Sequence, residues 1–114
     1  MESCERFLQE MGFIKTNKTH NWFGKKYEKE IFLDQPWSAG GRFISLTITI
    51  REDRQAIQII AIDNSLAEIP LYEGYCKSVE YLRLLLQNLF GGDGHDEEWI
   101  NNQFNGKLYI ENKE

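Results

Sequence analysis

The chain has 114 residues, of which 41% are hydrophobic and 27% charged, and this composition indicates a single globular domain over residues 1–114 rather than a disordered or fibrous protein. The net charge of −5 argues against a dedicated nucleic-acid binder, which usually carries a surplus of lysine and arginine. No apolar run approaches the roughly 20 residues of a membrane-spanning helix, and the first residues lack the pattern of a secretory signal, so we expect a cytoplasmic protein.

The cysteine content is consistent with that compartment. Cys4 and Cys76 are the two cysteines of the chain, and both lie in apolar stretches. Small secreted domains usually carry more cysteines, at even spacings. We therefore expect two buried thiols, and the sequence leaves open whether they pair in a disulfide.

A short helix is predicted over residues 3–11, where apolar side chains recur at positions i, i+3, i+4 and i+7 from Cys4. Gly12 is the expected stop, with Phe13 folding back on the helix in a Schellman motif. Residues 13–34 then alternate between apolar and polar side chains, and we predict one or two antiparallel strands there.

The clearest local pattern is a β-hairpin. Residues 35–41 form a loop rich in proline and glycine, after which Phe43–Ile50 alternates with a period of two. A polar turn at Arg51–Arg54 leads into Ala56–Ile62, which is apolar on both faces. A strand of this type is usually central in its sheet, so we expect other groups to cover it on both sides.

An irregular connection through Pro70 is predicted for residues 63–77. Ser78 then caps a helix over Val79–Phe90, whose apolar residues form a continuous stripe, with Leu84 on the opposite, polar side.

The last predicted elements are a short helix over Glu97–Phe104, capped by Asp96, and an edge strand at Leu108–Ile110. The fold class is therefore α+β: an antiparallel sheet of four or five strands with the helix Val79–Phe90 packed on one face. The predicted order is α-β-β-β-β-α-α-β.

Two segments resemble protein-contact surfaces. Trp37 and Arg42 belong to residue types enriched at binding hot spots, and both flank the glycine pair of residues 40–41. The acidic segment supplies the remaining predicted contacts, which are Asp93, Asp96, Glu97 and Glu98. Its spacing is not that of a calcium-binding loop, so we predict no metal ion and no cofactor there.

Two alternatives remain open at this stage. The first is a nucleic-acid surface on the lysine- and aromatic-rich stretch Lys15–Lys29, because lysines neutralise phosphates and aromatic rings stack on unpaired bases. Its expected contacts are Lys15, Lys18, Trp22, Lys25 and Lys26. The second is a small-ligand or enzyme site at residues 36–42, where backbone amides could surround an anion beside Arg42.

No residue is predicted to be catalytic. The two histidines, His20 and His95, have no nucleophile at a characteristic spacing, and no serine lies in a G-x-S-x-G motif. We therefore expect a non-enzymatic protein-binding module of the small acidic inhibitor or adaptor type, as phages and mobile elements use against nucleic-acid-binding proteins. Its protein partner is not identified by the sequence, and a homodimer through Leu84 or the strand Ala56–Ile62 is the other candidate assembly.

Overall fold

The computed structural model describes residues 2–16, 24–33, 42–62, 67–91 and 96–108. The helices are α1 (Glu2–Glu10), α2 (Val79–Phe90) and α3 (Glu97–Phe104), and the strands are β1 (Ile14–Thr16), β2 (Lys25–Leu33), β3 (Arg42–Arg51), β4 (Ala56–Ile62) and β5 (Glu68–Tyr75). The predicted α+β class is confirmed, and so is the arrangement of one N-terminal helix, an antiparallel sheet and two further helices. The last predicted strand begins at Leu108, which is buried, and its other two residues lie outside the described residues.

The five strands form one sheet in the order β1-β2-β3-β4-β5, with every neighbouring pair antiparallel. Tyr27, Ile48 and Ile59 occupy matching positions on β2, β3 and β4 and therefore lie on the same face. The hairpin of β3 and β4 is the predicted one, and a single 3₁₀ turn at Glu52–Arg54 connects its strands. The period of two in these strands thus sets which side chains face the core.

The core lies between this first face of the sheet and the three helices. α2 contributes its predicted stripe through Leu82, Leu86 and Phe90, all fully buried. Phe90 also meets Phe104 of α3, with ring centroids 5.7 Å apart, so α3 is held against α2. No helix among the described residues is long and apolar enough to cross a membrane.

The predicted helix ends are confirmed in detail. After α1, the N–H of Phe13 donates to the carbonyl of Leu8 at 2.9 Å and that of Gly12 to Gln9 at 3.1 Å, which is the Schellman arrangement, with Gly12 at φ +99°. At the start of α2, the hydroxyl oxygen of Ser78 accepts a hydrogen bond from the Tyr81 N–H.

The irregular connection predicted for residues 63–77 is wrong, because Glu68–Tyr75 is strand β5. Pro70 was the reason for that prediction, since proline cannot donate to a strand ladder. β5 is an edge strand, where proline is tolerated, and the register with β4 shifts at Ile59/Ile60, immediately opposite Pro70. An edge position and a β-bulge together accommodate the missing N–H.

The prediction that β4 is buried on both sides is confirmed. Ile57, Ile59 and Ala61 face the helices, whereas Gln58 and Ile60 are buried on the second face. Among the described elements, none of the helices packs on that second face. There, Thr47 lies between Glu28 and Ile60 in the register, and Thr49 lies between Lys26 and Gln58, so the centre of this face is polar.

Candidate protein-binding surface

A stacked pair of phenylalanines lies at one end of the second face. Phe32 of β2 and Phe43 of β3 are direct partners across the two strands. Their rings meet edge to face, with centroids 5.3 Å apart and an interplanar angle of 68°. The side chains are 37% and 57% exposed, which is unusual for two adjacent aromatic residues. The pair therefore leaves an apolar patch exposed to solvent, a feature typical of protein-contact sites.

The predicted contact residues Trp37 and Arg42 belong to the connection between these same two strands. Arg42 is the first residue of β3 and pairs with Leu33, the last residue of β2. Trp37 lies in residues 34–41, outside the described residues. The chain thus places the predicted hot-spot segment directly between Phe32 and Phe43 in sequence.

The acidic segment is divided between a structural and an exposed part. Asp96 is the N-cap of α3, because its Oδ1 accepts a hydrogen bond from the Trp99 N–H at 2.9 Å. Glu97 and Glu98 follow in the first turn and are exposed, where their charges favour the helix N-terminus. Asp93 lies outside the described residues. Of the four predicted acidic contacts, Glu97 and Glu98 are therefore the two best placed to meet a partner.

One hydrogen bond joins the acidic helix to the aromatic pair. The backbone N–H of Phe32 donates to Oε1 of Gln103, in α3, at 3.2 Å. Because a helix rises about 1.5 Å per residue, Glu97 lies only about 9 Å further along the helix axis than Gln103. This contact joins α3 to the end of β2 that bears Phe32, although the two phenylalanine rings lie on the second face of the sheet and α3 lies on the first. We call the exposed side chains on either side of this contact the aromatic-acidic end and define it by Phe32, Phe43, Glu97 and Glu98.

The lysines of the alternative nucleic-acid surface do not form one continuous patch in the described residues. Lys25 is paired with Glu5 and Glu52, each at 3.1 Å. Lys26 is buried on the second face, and this burial lowers its pKa. Lys15 is exposed and lies opposite Tyr27 in the register of β1 on β2. Its side chain therefore points to the face of the sheet opposite the one that bears Lys26. Lys18 and Trp22 lie outside the described residues, so they are not placed relative to the other three.

No group of three or more histidine, cysteine, aspartate and glutamate side chains in the described residues is arranged to hold a metal ion. His20, His95 and most of the glycine-rich loop 36–42 lie outside the described residues, so the small-ligand alternative remains a prediction.

The Phe32–Phe43 pair was missed in the sequence, although a signal for it was present. Phe32 falls on the polar side of its strand with Glu28 and Glu30, and Phe43 falls on the side of Ser45. An aromatic residue on the polar side of a strand is an exception to the alternation. Two such exceptions on neighbouring strands predict an exposed pair once the register is known.

Comparisons with protein-family models, with curated proteins and with solved structures found no match to this chain.

Proposed function

We propose that this chain is a non-enzymatic protein-binding module, an acidic inhibitor or adaptor that contacts its partner through the aromatic-acidic end. The observation that supports this most directly is the solvent-exposed Phe32–Phe43 pair, whose strand β2 contacts the acidic helix α3 through the Phe32 N–H and Gln103. Large aromatic side chains act as anchors at the centre of interfaces, and charged residues occupy their rim. Phe32 and Phe43 would supply the anchors, and Glu97 and Glu98 the rim.

Charge favours a basic partner. The whole chain carries a net charge of −5, and residues 93–114 contain six acidic and two basic side chains. Complementary charge raises the rate of association and suppresses wrong partners. The partner we propose presents an apolar pocket edged by lysine and arginine, a combination typical of nucleic-acid-binding grooves that also stack on bases. An acidic module on such a groove would compete with the nucleic acid.

The contribution of the phenylalanines can be estimated from their exposure. Burying the exposed half of the Phe43 ring removes on the order of 100 Å² of apolar surface from water, which corresponds to about 2 kcal/mol. Loss of that contact weakens binding roughly 30-fold. Loss of the ring contact with Phe32 costs the free chain at most about 1.5 kcal/mol of stability, so the variant remains folded.

The test is affinity purification from the native cell with the wild-type chain, Phe43→Ser and Leu84→Ser. Leu84 is the matched control, because it is 48% exposed but lies on α2, on the other side of the sheet. We expect wild type and Leu84→Ser to recover the same basic partner and Phe43→Ser to lose it. Recovery by Phe43→Ser at wild-type strength would place the interface elsewhere.

The charged part of the surface has a separate test on the purified complex. Reversal of Glu97 and Glu98 to lysine should lower the association rate most at low salt and leave the thermal midpoint of the free chain nearly unchanged. A single-stranded nucleic acid should displace the module from its partner. If the free chain itself binds single-stranded DNA at low salt, the alternative with Lys15, Lys25 and Lys26 gains support instead. If the partner recovered is a second copy of the chain, sizing in solution will show a homodimer.

A further inference from the structure

The fold brings the two cysteines of the chain together. Cys4 lies in the first turn of α1, and Cys76 lies between β5 and α2. Both are free thiols buried in the same core cluster, and both lie at Ser78: Cys4 lines a cavity with Ser78, and the Cys76 thiol donates to the Ser78 carbonyl at 3.6 Å. A cysteine in a protein core behaves as a small apolar side chain, so core packing alone does not require two thiols to lie near each other.

We propose that Cys4 and Cys76 are a reversible redox pair, which a small peroxide converts to an intramolecular disulfide that clamps α1 to the start of α2. This assignment is independent of the proposed partner surface.

Among the described residues, a cavity approaches the pair from the side of Cys4. A cavity of about 520 Å³ is lined by Ser3, Cys4 and the segment Lys77–Glu80. Cys76 is not among the residues that line it. A molecule as small as hydrogen peroxide therefore reaches Cys4 first, and Cys76 lies behind it as the resolving thiol.

Backbone contacts hold Cys76 in place for that role. Its N–H donates to the carbonyl of Gln55 at 2.8 Å, and its thiol donates to the carbonyl of Ser78 at 3.6 Å. Cys4, by contrast, lies in the short helix α1, which the Glu5 side chain joins to Tyr27 and Lys25 of the sheet. α1 is therefore the element that adjusts when the sulfur atoms approach each other to bond.

The protonation of the two thiols favours the same order of reaction. The neighbouring Cys4 side chain and burial raise the pKa of Cys76, so Cys76 stays a thiol whose proton is donated to the Ser78 carbonyl. Because the thiolate is the reactive form, and because the first turn of a helix favours it, Cys4 is the nucleophile.

The reaction consists of two balanced steps. The Cys4 thiolate attacks one oxygen of the peroxide, an S–O bond forms as the O–O bond breaks, and hydroxide leaves, giving a sulfenic acid at Cys4. The Cys76 sulfur then attacks the Cys4 sulfur, the S–S bond forms as the S–O bond breaks, and the thiol proton leaves with the oxygen as water. Two thiols are oxidised by two electrons, and one peroxide is reduced to two waters.

The first experiment treats the reduced full chain with hydrogen peroxide and follows its intact mass. We expect a loss of about 2 Da, a Cys4–Cys76 cross-link in a non-reducing peptide map, and reversal by dithiothreitol. An unchanged mass under conditions that oxidise free cysteine would overturn the proposal. Stable addition of oxygen at cysteine without the cross-link, or a disulfide between two chains, would do the same.

The second experiment separates the roles of the two thiols. In Cys76→Ser, whose hydroxyl can keep the hydrogen bond to Ser78, oxidation should stop at a sulfenic acid on Cys4 that dimedone captures. In Cys4→Ser, Cys76 should remain unmodified over the same period. Equal labelling of the two variants would refute the assigned order.

Thermal unfolding of the wild-type chain provides a test that does not depend on the variants. The disulfide would close a loop containing the whole sheet, and the oxidised form should therefore melt roughly 10 °C higher than the reduced form. An oxidised form that melts at the same or a lower temperature would show that α1 is not clamped in its native position.

Discussion

The side chain of Tyr27 offers a sharp test of how α1 is held on the sheet. Its hydroxyl donates to Oε1 of Glu5 at 2.7 Å, and the other carboxylate oxygen accepts from Lys25 at 3.1 Å. Tyr27 is fully buried, whereas the Lys25 side chain is 44% exposed. The substitution Tyr27→Phe keeps the ring in the core and removes only the buried hydrogen bond.

The expected loss at neutral pH follows from the hydrogen bond. A hydrogen bond to an ionised group contributes about 1.5–3 kcal/mol, and the exposed Lys25–Glu5 pair left behind contributes little. Burial and the hydrogen bond to Glu5 also raise the pKa of Tyr27 to about 12, from an ordinary value of 10.0. By linkage, that shift corresponds to at most about 2.7 kcal/mol of stability, which is lost only when the phenol ionises. We therefore expect Tyr27→Phe to lose about 2 kcal/mol, or roughly 8 °C in thermal midpoint.

The sign of the pH dependence follows from the raised pKa. The folded chain favours the protonated phenol, so this contribution is complete below the unfolded pKa near 10 and is lost as the pH rises through about 12. Urea unfolding between about pH 8 and pH 11 should therefore show a steeper loss of stability for wild type than for Tyr27→Phe. Equal slopes would refute the reasoning.

A matched control is Tyr72→Phe. The hydrogen bond with Tyr81, together with burial, raises the pKa of Tyr72 to about 12 as well. Within the described part of the chain, its hydroxyl makes hydrogen bonds with Tyr81 and the Tyr75 carbonyl, at 3.4 and 2.7 Å, and with no carboxylate. We expect this variant to lose less stability at neutral pH than Tyr27→Phe. A larger loss would mean that the Glu5 contact is not what stabilises α1.

Substitutions at four further positions test other parts of the fold. Burial opposes ionisation of Glu5, but hydrogen bonds from Tyr27 and Lys25 outweigh it and lower the pKa of Glu5. The contribution of Glu5 to stability is therefore present above pH 4.5 and is lost as the pH falls through the folded pKa. Glu5→Gln should flatten the acid limb of a stability–pH curve. Asp96→Ala should cost about 1 kcal/mol in urea unfolding through loss of the α3 cap, and Asp96→Asn much less. Gly24→Ala should cost roughly 1–3 kcal/mol, because φ is +150° and the new Cβ would collide with the Ile50 carbonyl oxygen. In Gly106→Ala, where the nearest atom is 3.5 Å away, the thermal midpoint should fall less.

Local rules were sufficient for much of the fold. The alternation of Phe43–Ile50 and the apolar stripe of Val79–Phe90 predicted which side chains reach the core, and both faces of β4 are buried as expected. Ser78, Asp96 and Gly12 act at helix ends through contacts within a few residues of themselves, so their roles can be predicted without knowledge of the rest of the chain.

Contacts between distant segments could not be predicted in the same way. β5 has a weak alternation and contains Pro70, so only its pairing with β4 defines it as a strand. The contact between Cys4 and Cys76 depends on how α1 packs beside the start of α2, which no local pattern encodes. The Phe32–Phe43 stack likewise required the register of β2 on β3.

The second face of the sheet explains why the partner surface is assigned to an end rather than to the whole face. At the centre, Thr47 and Thr49 are each only 1% exposed, and Gln58 donates to Glu73. A partner placed over these groups would gain little, because almost no surface there remains to be removed from water. At the end, the Phe32–Phe43 pair keeps its apolar area in solvent and lies next to the helix that bears Glu97 and Glu98. Both the hydrophobic and the electrostatic contributions to binding are therefore available at that end, and substitution of Phe43 should affect binding far more than an equally conservative change at Thr49.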